Sequence, residues 1–377
     1  MADTKEARDE AQRRVVEALA RHTSYLHRAA TAQVNRIHEV IDELGRELTN
    51  ELHDRLDNLT PAELSAFVQG KYTTDRLKGV RNLINRWAER LGERIDEIAA
   101  ADFEELAGHE ASYARDLLAN VLEGEVPAAP TAGAAYAAAA SQPVLGEFVE
   151  DMLADIPAQT RKRVYSRIRE GISGGQTNAE IIRALRGTKD MQFRNGLLQT
   201  TRNDAERVVR TARGHISNVS YEETYKALGV EEVVWVSTLD GRTSKICASR
   251  DSQRWRVDEQ HPRPPAHPNC RSSLAPAFDG EIMGQRPYVR AFKPVGQVPK
   301  SKRPDDMVGQ VSAKTTYSDW FARQPASFQK EWLGPSRYKL YRDGGYKIDR
   351  FVDPKGGQYT LEELRQRDRE TFDELFG

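Results

Sequence analysis

The residues best suited to chemistry lie in two short segments that contain both cysteines of the chain. The segments are 240–247, which reads DGRTSKIC, and 264–271, which reads PPAHPNCR. Cys247, His267 and Cys270 are three soft or borderline ligands, the number that a zinc site could use. These three residues are therefore a candidate metal site.

Two alternatives to a metal site stay open for the two cysteines. A structural zinc site takes a fourth protein ligand, for which Asp240 and Asp251 are nearby candidates, because Ser244 stands where a Cys-x-x-Cys pair would need a cysteine. Without a metal, Cys247 and Cys270 would pack as small apolar side chains, with the histidine hydrogen-bonded in a turn. A disulfide between them is the remaining alternative. No cofactor is expected apart from this candidate zinc ion.

The sequence lacks the motifs of common enzyme classes. It contains no G-x-x-x-x-G-K-[ST] phosphate loop, no G-x-G-x-x-G dinucleotide motif and no G-x-S-x-G nucleophile elbow. His109-Glu110 does not complete H-E-x-x-H, because Tyr113 stands at the position of the second histidine. A nucleophile pair of His267 with either cysteine has no further residues to support it. We therefore expect a protein that is not an enzyme.

Positive charge is concentrated locally, although the chain as a whole is almost neutral. The 56 Lys and Arg residues and the 57 Asp and Glu residues give a net charge of -1 at pH 7, so the chain has no general attraction to DNA or to an anionic membrane. Arg207, Arg210 and Arg213 share one helix flank, where they either meet phosphate or form salt bridges with neighbours. A Pro-rich loop adds a second candidate surface for nucleic acid or an acidic partner, formed by Arg286, Arg290, Lys293, Lys300, Lys302 and Arg303.

Hydrophobic periodicity predicts a mainly α fold with a small α+β module. Apolar residues at three- and four-residue spacing over 34–59 and 77–98 predict two long antiparallel helices packed face to face. Thr60, Thr177 and Thr360 each stand three residues before a glutamate, which predicts capping boxes at three helix starts. The β-branched and aromatic run 231–237 predicts a strand, as does 346–352.

The predicted architecture is a long helical hairpin and a helical bundle, followed by a short-stranded C-terminal module. No run approaches about 18 consecutive apolar residues, so no membrane span is predicted, and the charged start is unlike a signal peptide. The predicted segments are a helical hairpin or coiled-coil-like region (1–122), an Ala/Pro-rich linker (123–144), a central helical bundle (145–230), a small β-rich module (231–280), a basic Pro-rich loop (281–312) and an aromatic-rich α+β segment (313–377).

The order of the motifs along the chain is specific. A helix containing RVVRTARGHISNVSYEE precedes a Trp-bearing strand, Asp-x-Arg-Thr and then Pro-Pro-x-His-Pro-Asn-Cys-Arg, and the tail adds Arg-Gln-Pro, Leu-Gly-Pro-x-Arg and Gly-Gly elements. Over residues 145–370 this combination resembles the phage head morphogenesis family, the Mu F-like minor head proteins. Many members of that family carry two further cysteines, where this chain has Ser244 and Ser272. The departure argues against a four-cysteine metal knuckle.

The resemblance implies a non-catalytic minor head protein of a tailed bacteriophage. Such a protein lies in the virion, inside the head near the portal vertex, after assembly in the host cytoplasm, and it assists capsid assembly, DNA packaging or DNA delivery. The implied partner is the portal protein, with the major capsid protein, a scaffolding protein and packaged DNA as further candidates and no membrane. The alternatives are a DNA-contacting ejection or packaging factor that acts through the basic loop, or an effector- or toxin-type enzyme that carries a Mu F-like domain.

We interpret the shared motif as structural. Asp240, Arg242, His267 and Arg271 are expected to form a hydrogen-bonded clasp between the two strands of the β-rich module. The whole structural motif consists of Asp240, Arg242, Thr243, Pro265, His267, Pro268, Asn269, Cys270 and Arg271.

Overall fold

A computed structural model describes residues 5–119, 126–277 and 285–377 of the chain. Within these ranges the protein is mainly α with small sheets, which confirms the predicted fold class. The helices are α1 (Lys5–Asp57), α2 (Pro61–Val68), α3 (Asp75–Ala119), α4 (Ala132–Ala140), α5 (Val149–Ser173), α6 (Asn178–Arg186), α7 (Leu197–Ala227), α8 (Lys245–Arg250), α9 (Tyr317–Ala322), α10 (Ala326–Leu333), α11 (Pro335–Arg342), α12 (Leu361–Arg367) and α13 (Arg369–Phe376).

Short strands form two three-stranded sheets in the described ranges. The strands are β1 (Glu232–Val236), β2 (Leu239–Asp240), β3 (Arg254–Arg256), β4 (Ser273–Ala277), β5 (Gln285–Val289) and β6 (Val308–Ser312). In one sheet β1 lies between β3 and β4 and is antiparallel to both, with Val234 opposite Arg254 and Ala275. In the other, β5 lies between the parallel β2 and the antiparallel β6. The predicted strand at 231–237 is therefore confirmed as β1.

The chain divides into two compact units, and three long helices contribute to both of them. Unit 1 comprises Met1–His27, Ala107–Ala139 and Gly214–Gly377, and unit 2 comprises Arg28–Leu106 and Ala140–Arg213. Divisions between the units fall inside α1, α3 and α7 and before the last residue of α4. The six segments derived from the sequence stay a prediction, and parts of them, 1–4, 120–125 and 278–284, lie outside the described residues.

Unit 2 is built around the apolar stripes of α1 and α3. The stripe residues of α1 from Val34 to Leu56 and those of α3 from Leu77 to Ile95 are buried. The two helices run antiparallel, since the Nε1–H of Trp87 donates to the carbonyl of Leu44 at 2.9 Å while Arg36, earlier in α1, pairs with Asp102, later in α3. The prediction that these two helices pack face to face is confirmed.

The predicted helix starts are confirmed as well. Thr60, Thr177 and Thr360 are the N-cap residues of α2, α6 and α12, and each forms a reciprocal capping box with the glutamate three residues later. Each threonine hydroxyl accepts a backbone N–H that has no partner inside the helix. The Ala-rich stretch contributes α4, and the expected helix that contains RVVRTARGHISNVSYEE is α7.

Unit 1 contains two buried apolar clusters. The first surrounds β1 and includes Trp235, Leu274 and Cys247. The second gathers the aromatic residues of the C-terminal segment, among them Tyr317, Trp320, Phe321 and Trp332, around Leu239 of β2. The Nε1–H of Trp332 donates to the carbonyl of Thr243 at 2.9 Å, so the C-terminal segment packs directly against residues 240–247, which we call the first motif segment.

Two predictions of local structure are wrong. Residues 346–352 contain a 3-10 turn, Ile348–Phe351, rather than a strand. Tyr346, Ile348 and Phe351 are all buried. In a strand, Tyr346 and Ile348 would lie on one face and Phe351 on the opposite face, because successive side chains alternate between faces. The segment 281–312 is not a loop at its ends, because β5 and β6 pair from Gln285 with Ser312 to Val289 with Val308. Residues 281–284 of that segment lie outside the described residues.

Candidate functional site

The first motif segment connects the two cores of unit 1. Leu239 belongs to the aromatic core, whereas Cys247, eight residues later on α8, belongs to the core around β1. The turn between them needs a glycine, since a Cβ on Gly241 would lie 2.7 Å from the ring of Phe292 and 3.0 Å from the carbonyl oxygen of Ala291. Ser244 caps α8 by accepting the N–H of Cys247 at 3.3 Å.

Asp240 is the centre of a buried ionic network. Its side chain is fully buried, and Arg271 donates to both carboxylate oxygens at 2.6 and 2.8 Å. Arg242 adds side-chain hydrogen bonds of 3.2 and 3.0 Å and a backbone N–H at 2.9 Å, and the Thr243 hydroxyl lies 3.2 Å from Oδ1. The backbone carbonyl of Asp240 accepts the hydroxyl of Tyr317 at 2.9 Å. The carboxylate of Asp240 thus joins β2 to the segment before β4, and its backbone carbonyl joins β2 to α9.

The electrostatics of Asp240 favour its ionised form. Burial alone would raise the pKa of this carboxyl, but the hydrogen bonds and positive charge of Arg271, with the charge of Arg242, hold the pKa below its usual range. The bidentate geometry of Arg271 is the strongest form of such a pair. Contacts among Asp240, Arg242 and Arg271 are present as expected, whereas His267 lies outside this network, which corrects its expected place in the clasp.

His267 instead lies beside the two cysteines. The Sγ of Cys247 is 3.3 Å from Nε2 of His267 and 3.5 Å from Sγ of Cys270. A tight turn produces this arrangement, since the N–H of Cys270 donates to the carbonyl of His267 at 3.2 Å and Asn269 has a φ of 59°, a left-handed conformation that asparagine tolerates. Pro265, which follows a cis peptide bond, is buried at the start of this loop. The cluster brings together the three residues of the candidate metal site.

The two thiols of this cluster differ in proton affinity. The hydrogen bond from Cys247 and the contact with His267 hold the pKa of the Cys270 thiol well below its usual range. The same bond to Cys270, together with burial, raises the pKa of Cys247. Burial would lower the pKa of His267, but its contact with Cys270 raises it. The sulfurs are not bonded to each other, so the cluster offers two sulfur donors and one imidazole, a set suited to zinc.

Asp251 and Arg286 form a second buried ion pair that the sequence reading missed. Arg286 is 3% exposed, and its guanidinium donates to the two carboxylate oxygens of Asp251 at 2.9 and 3.0 Å and to the carbonyl of Thr315 at 3.1 Å. Asp251 also accepts the backbone N–H groups of Ser237 and Tyr317, both at 2.7 Å. The assignment of Arg286 to a basic surface is therefore wrong, and Asp251 is not directed to the cysteine cluster as a fourth ligand.

The other basic residues are distributed between internal pairs and the surface. Arg290 pairs with Asp306, and Nε of Arg303 donates to the carbonyl of Val298 at 2.9 Å. Lys293, Lys300 and Lys302 are exposed. On α7, Arg207 and Arg210 pair with Asp204 and Glu206 at 3.2 and 2.8 Å, and Arg213 donates to Gln33 at 2.9 Å. The helix flank thus makes the neighbouring polar contacts that were the alternative to phosphate binding.

A buried carboxylate on α3 was also missed. Glu110 is fully buried, His22 Nε2 lies 3.0 Å from both of its oxygens, and the Tyr221 hydroxyl donates to it. Burial would raise the pKa of Glu110, but hydrogen bonds from His109 and His22 lower it. The sequence does contain a signal for this residue. Glu110 stands between Leu106 and Ala114 on a stripe of apolar residues spaced three or four positions apart. A charge on such a stripe needs a buried partner.

The geometry defines a mainly α protein whose small β module is held by buried ion pairs and a thiol–imidazole cluster. Residues 162–275 match the family model described as Phage Mu protein F like protein. The match runs from the second half of α5 into β4 and contains the segments 240–247 and 264–271, and it confirms over these residues the resemblance read from the sequence. Over these residues the chain is similar to a family of phage proteins.

The match has defined limits. It covers less than a third of the chain and ends before β5, so it does not include the aromatic-rich C-terminal segment. Comparison with curated proteins found no match, and comparison with solved structures found none either. None of the helices in the described ranges has the length and apolar character needed to cross a bilayer.

Proposed function

We propose that the protein is a minor head protein of a tailed bacteriophage that associates with the portal vertex and assists capsid assembly, DNA packaging or DNA delivery. The observation that carries this proposal is the Mu F-like match over residues 162–275. In this proposal the portal protein is the main partner, with the major capsid or a scaffolding protein as further contacts. The chain assembles in the host cytoplasm and resides inside the head.

The engagement of the motif side chains supports a non-catalytic role. Asp240, Arg242 and Arg271 bond to one another, and Asp251 and Arg286 do the same. A carboxylate whose oxygens already accept several internal hydrogen bonds is poorly placed to exchange protons with a substrate. These groups therefore act as a rigid brace, and the proposal assigns partner contacts to helical surfaces elsewhere.

Two measurements on the intact chain test this proposal. A tagged full-length chain, co-expressed with the portal protein of the same phage, is expected to retain that protein on an affinity column. The portal protein, co-expressed with the same affinity tag on an unrelated protein, serves as the comparison for non-specific capture. Mass spectrometry of purified particles is expected to detect the chain in few copies. Its absence from particles, together with failure to retain the portal protein, would overturn the proposal.

A second candidate function is DNA contact during packaging or ejection. The exposure of Lys293, Lys300 and Lys302 favours it, because exposed lysines are available to phosphate. Asp305 and Asp306 are exposed in the same segment, and Arg286 and Arg290 are already paired. These contacts reduce the positive charge that the segment can offer, so portal association remains the leading proposal.

A further inference from the structure

The thiol–imidazole cluster has the dimensions of a metal site. Around tetrahedral zinc, with Zn–S of about 2.3 Å and Zn–N of about 2.0–2.1 Å, neighbouring ligand atoms are separated by roughly 3.6–3.8 Å. The observed separations are 3.5 Å between the two sulfurs and 3.3 Å between Sγ of Cys247 and Nε2 of His267. All three donor atoms lie within 4.8 Å of one another. The two separations that involve Sγ of Cys247 are thus within a few tenths of an ångström of those around the ion.

The surroundings prepare each donor atom for a metal. Nδ1 of His267 lies 2.9 Å from the carbonyl oxygen of Pro268. A carbonyl can only accept, so this contact places the ring proton on Nδ1 and leaves the lone pair of Nε2 directed at the cysteines. Cys247 is almost fully buried on α8, which fixes one ligand on a helix.

We propose that Cys247, Cys270 and His267 bind one Zn²⁺ ion through two thiolates and the Nε2 of a neutral imidazole. Binding releases the remaining thiol protons to solvent, and water completes the coordination as the fourth ligand. The ion connects α8 to the loop that leads into β4, so it cross-links these two segments, and its fourth position stays open to water, unlike the closed four-ligand sites that are usual for structural zinc. Soft sulfur donors select zinc over magnesium or calcium, which prefer oxygen. This inference is independent of the proposed place of the protein in the phage head.

Zinc content is the direct test. The full chain, purified under reducing conditions without chelators, is expected to contain about one zinc ion per molecule by elemental analysis. Cys270→Ser and His267→Ala are expected to lower this content at least several-fold, since each removes a ligand. His53→Ala is the matched control, because His53 is a histidine of unit 2, 41% exposed, that is not part of the thiol–imidazole cluster. Equal zinc content in all four proteins would overturn the proposal.

A measurement on the unmodified chain covers the case in which the variants do not fold. Titration with an organic mercurial in the presence of a chromogenic zinc chelator is expected to release one equivalent of zinc as the two thiols react. Cobalt substitution is expected to give a sulfur-to-metal charge-transfer band in the near ultraviolet, which a site without thiolates does not produce. A metal-free protein that does not take up zinc or cobalt contradicts the proposal, as does an intramolecular Cys247–Cys270 disulfide found by mass spectrometry.

Discussion

Asp240 shows how much of this module depends on one buried charge. Its carboxylate accepts hydrogen bonds from the side chains of Arg271 and Arg242, and both guanidinium groups are partly removed from solvent. A buried ion pair adds little compared with a well-packed apolar substitute, but loss of one partner leaves the other charge uncompensated. The contribution of Asp240 is therefore best measured by removing its charge alone.

The Asp240→Asn variant is expected to lower the free energy of unfolding of unit 1 by about 3–5 kcal/mol, because the largely buried guanidinium of Arg271 would lose its counter-charge. Four of the five tryptophans, all except Trp87, lie in unit 1, so fluorescence-detected urea unfolding reports mainly on this unit. Asp258→Asn is the matched control. Its carboxylate is exposed and pairs with Arg256 at 3.1 Å, and its loss is expected to cost less than about 1 kcal/mol. An equal loss of unfolding free energy in the two variants would contradict the role of Asp240 in a rigid brace.

The same network predicts a dependence of stability on acid. Because contacts with Arg271 and Arg242 hold the pKa of Asp240 below its usual range, the ionised carboxylate favours the folded state. Its contribution is fully present above the unfolded-state pKa of about 4 and is lost as the pH falls toward the lower folded-state pKa. The stability difference between the natural chain and Asp240→Asn is therefore expected to be larger at pH 7 than at pH 3. A difference that does not change between these pH values would show that Asp240 is not the titrating group.

At the scale of elements, the sequence predicts well what depends on near neighbours. The capping boxes at Thr60, Thr177 and Thr360 use residues three positions apart, so their spacing alone identifies them. The pairing of Arg286 with Asp251 joins residues 35 positions apart, and no local pattern distinguishes this arginine from the exposed lysines that follow it. Strand β5 has the same difficulty, because its partners β2 and β6 lie far away along the chain.

Close helix packing at Gly108 gives a prediction at this scale. A Cβ on Gly108 of α3 would lie 2.7 Å from Cβ and 3.2 Å from Cα of Ala132, at the start of α4. Because Ala132 has no rotamer that could relieve this contact, Gly108→Ala is expected to destabilise unit 1 by about 1–3 kcal/mol.

Gly92→Ala, on the same helix, is the matched control for helix propensity. A Cβ there would be 3.4 Å from Cγ of Pro157, an ordinary contact, and alanine is favoured over glycine in a helix by up to about 1 kcal/mol. Gly92→Ala is therefore expected to be neutral or stabilising. Thermal unfolding followed by circular dichroism distinguishes the two variants, and similar midpoints would argue against tight packing of α3 on α4.

At the scale of the whole molecule, the site was only partly predictable from sequence. Composition gave a nearly neutral chain, and the order of motifs identified the Mu F-like segment. The grouping of Cys247, His267 and Cys270 followed from residue type. The separation of His267 from Asp240 did not, because it depends on a turn at Asn269 whose left-handed φ of 59° directs the imidazole to the cysteines. Glu110 was missed because its partners His22 and Tyr221 come from distant helices.

The nearly neutral charge of the whole chain predicts weak binding to DNA. With a net charge of -1 and with Asp305 and Asp306 exposed beside Lys300 and Lys302, the chain can release few counterions, so binding to duplex DNA is expected only well below about 0.15 M salt. The triple variant Lys300→Gln, Lys302→Gln, Arg303→Gln is expected to bind as weakly as a control with the same charge change at exposed residues, Arg323→Gln, Lys330→Gln, Lys347→Gln. Fluorescence anisotropy across a salt series measures both. The quantity compared is the slope of the logarithm of the binding constant against the logarithm of the salt concentration. A slope that is shallower by about 2–3 for the first variant alone would instead support DNA contact through residues 300–303, since each lost phosphate contact removes about 0.9.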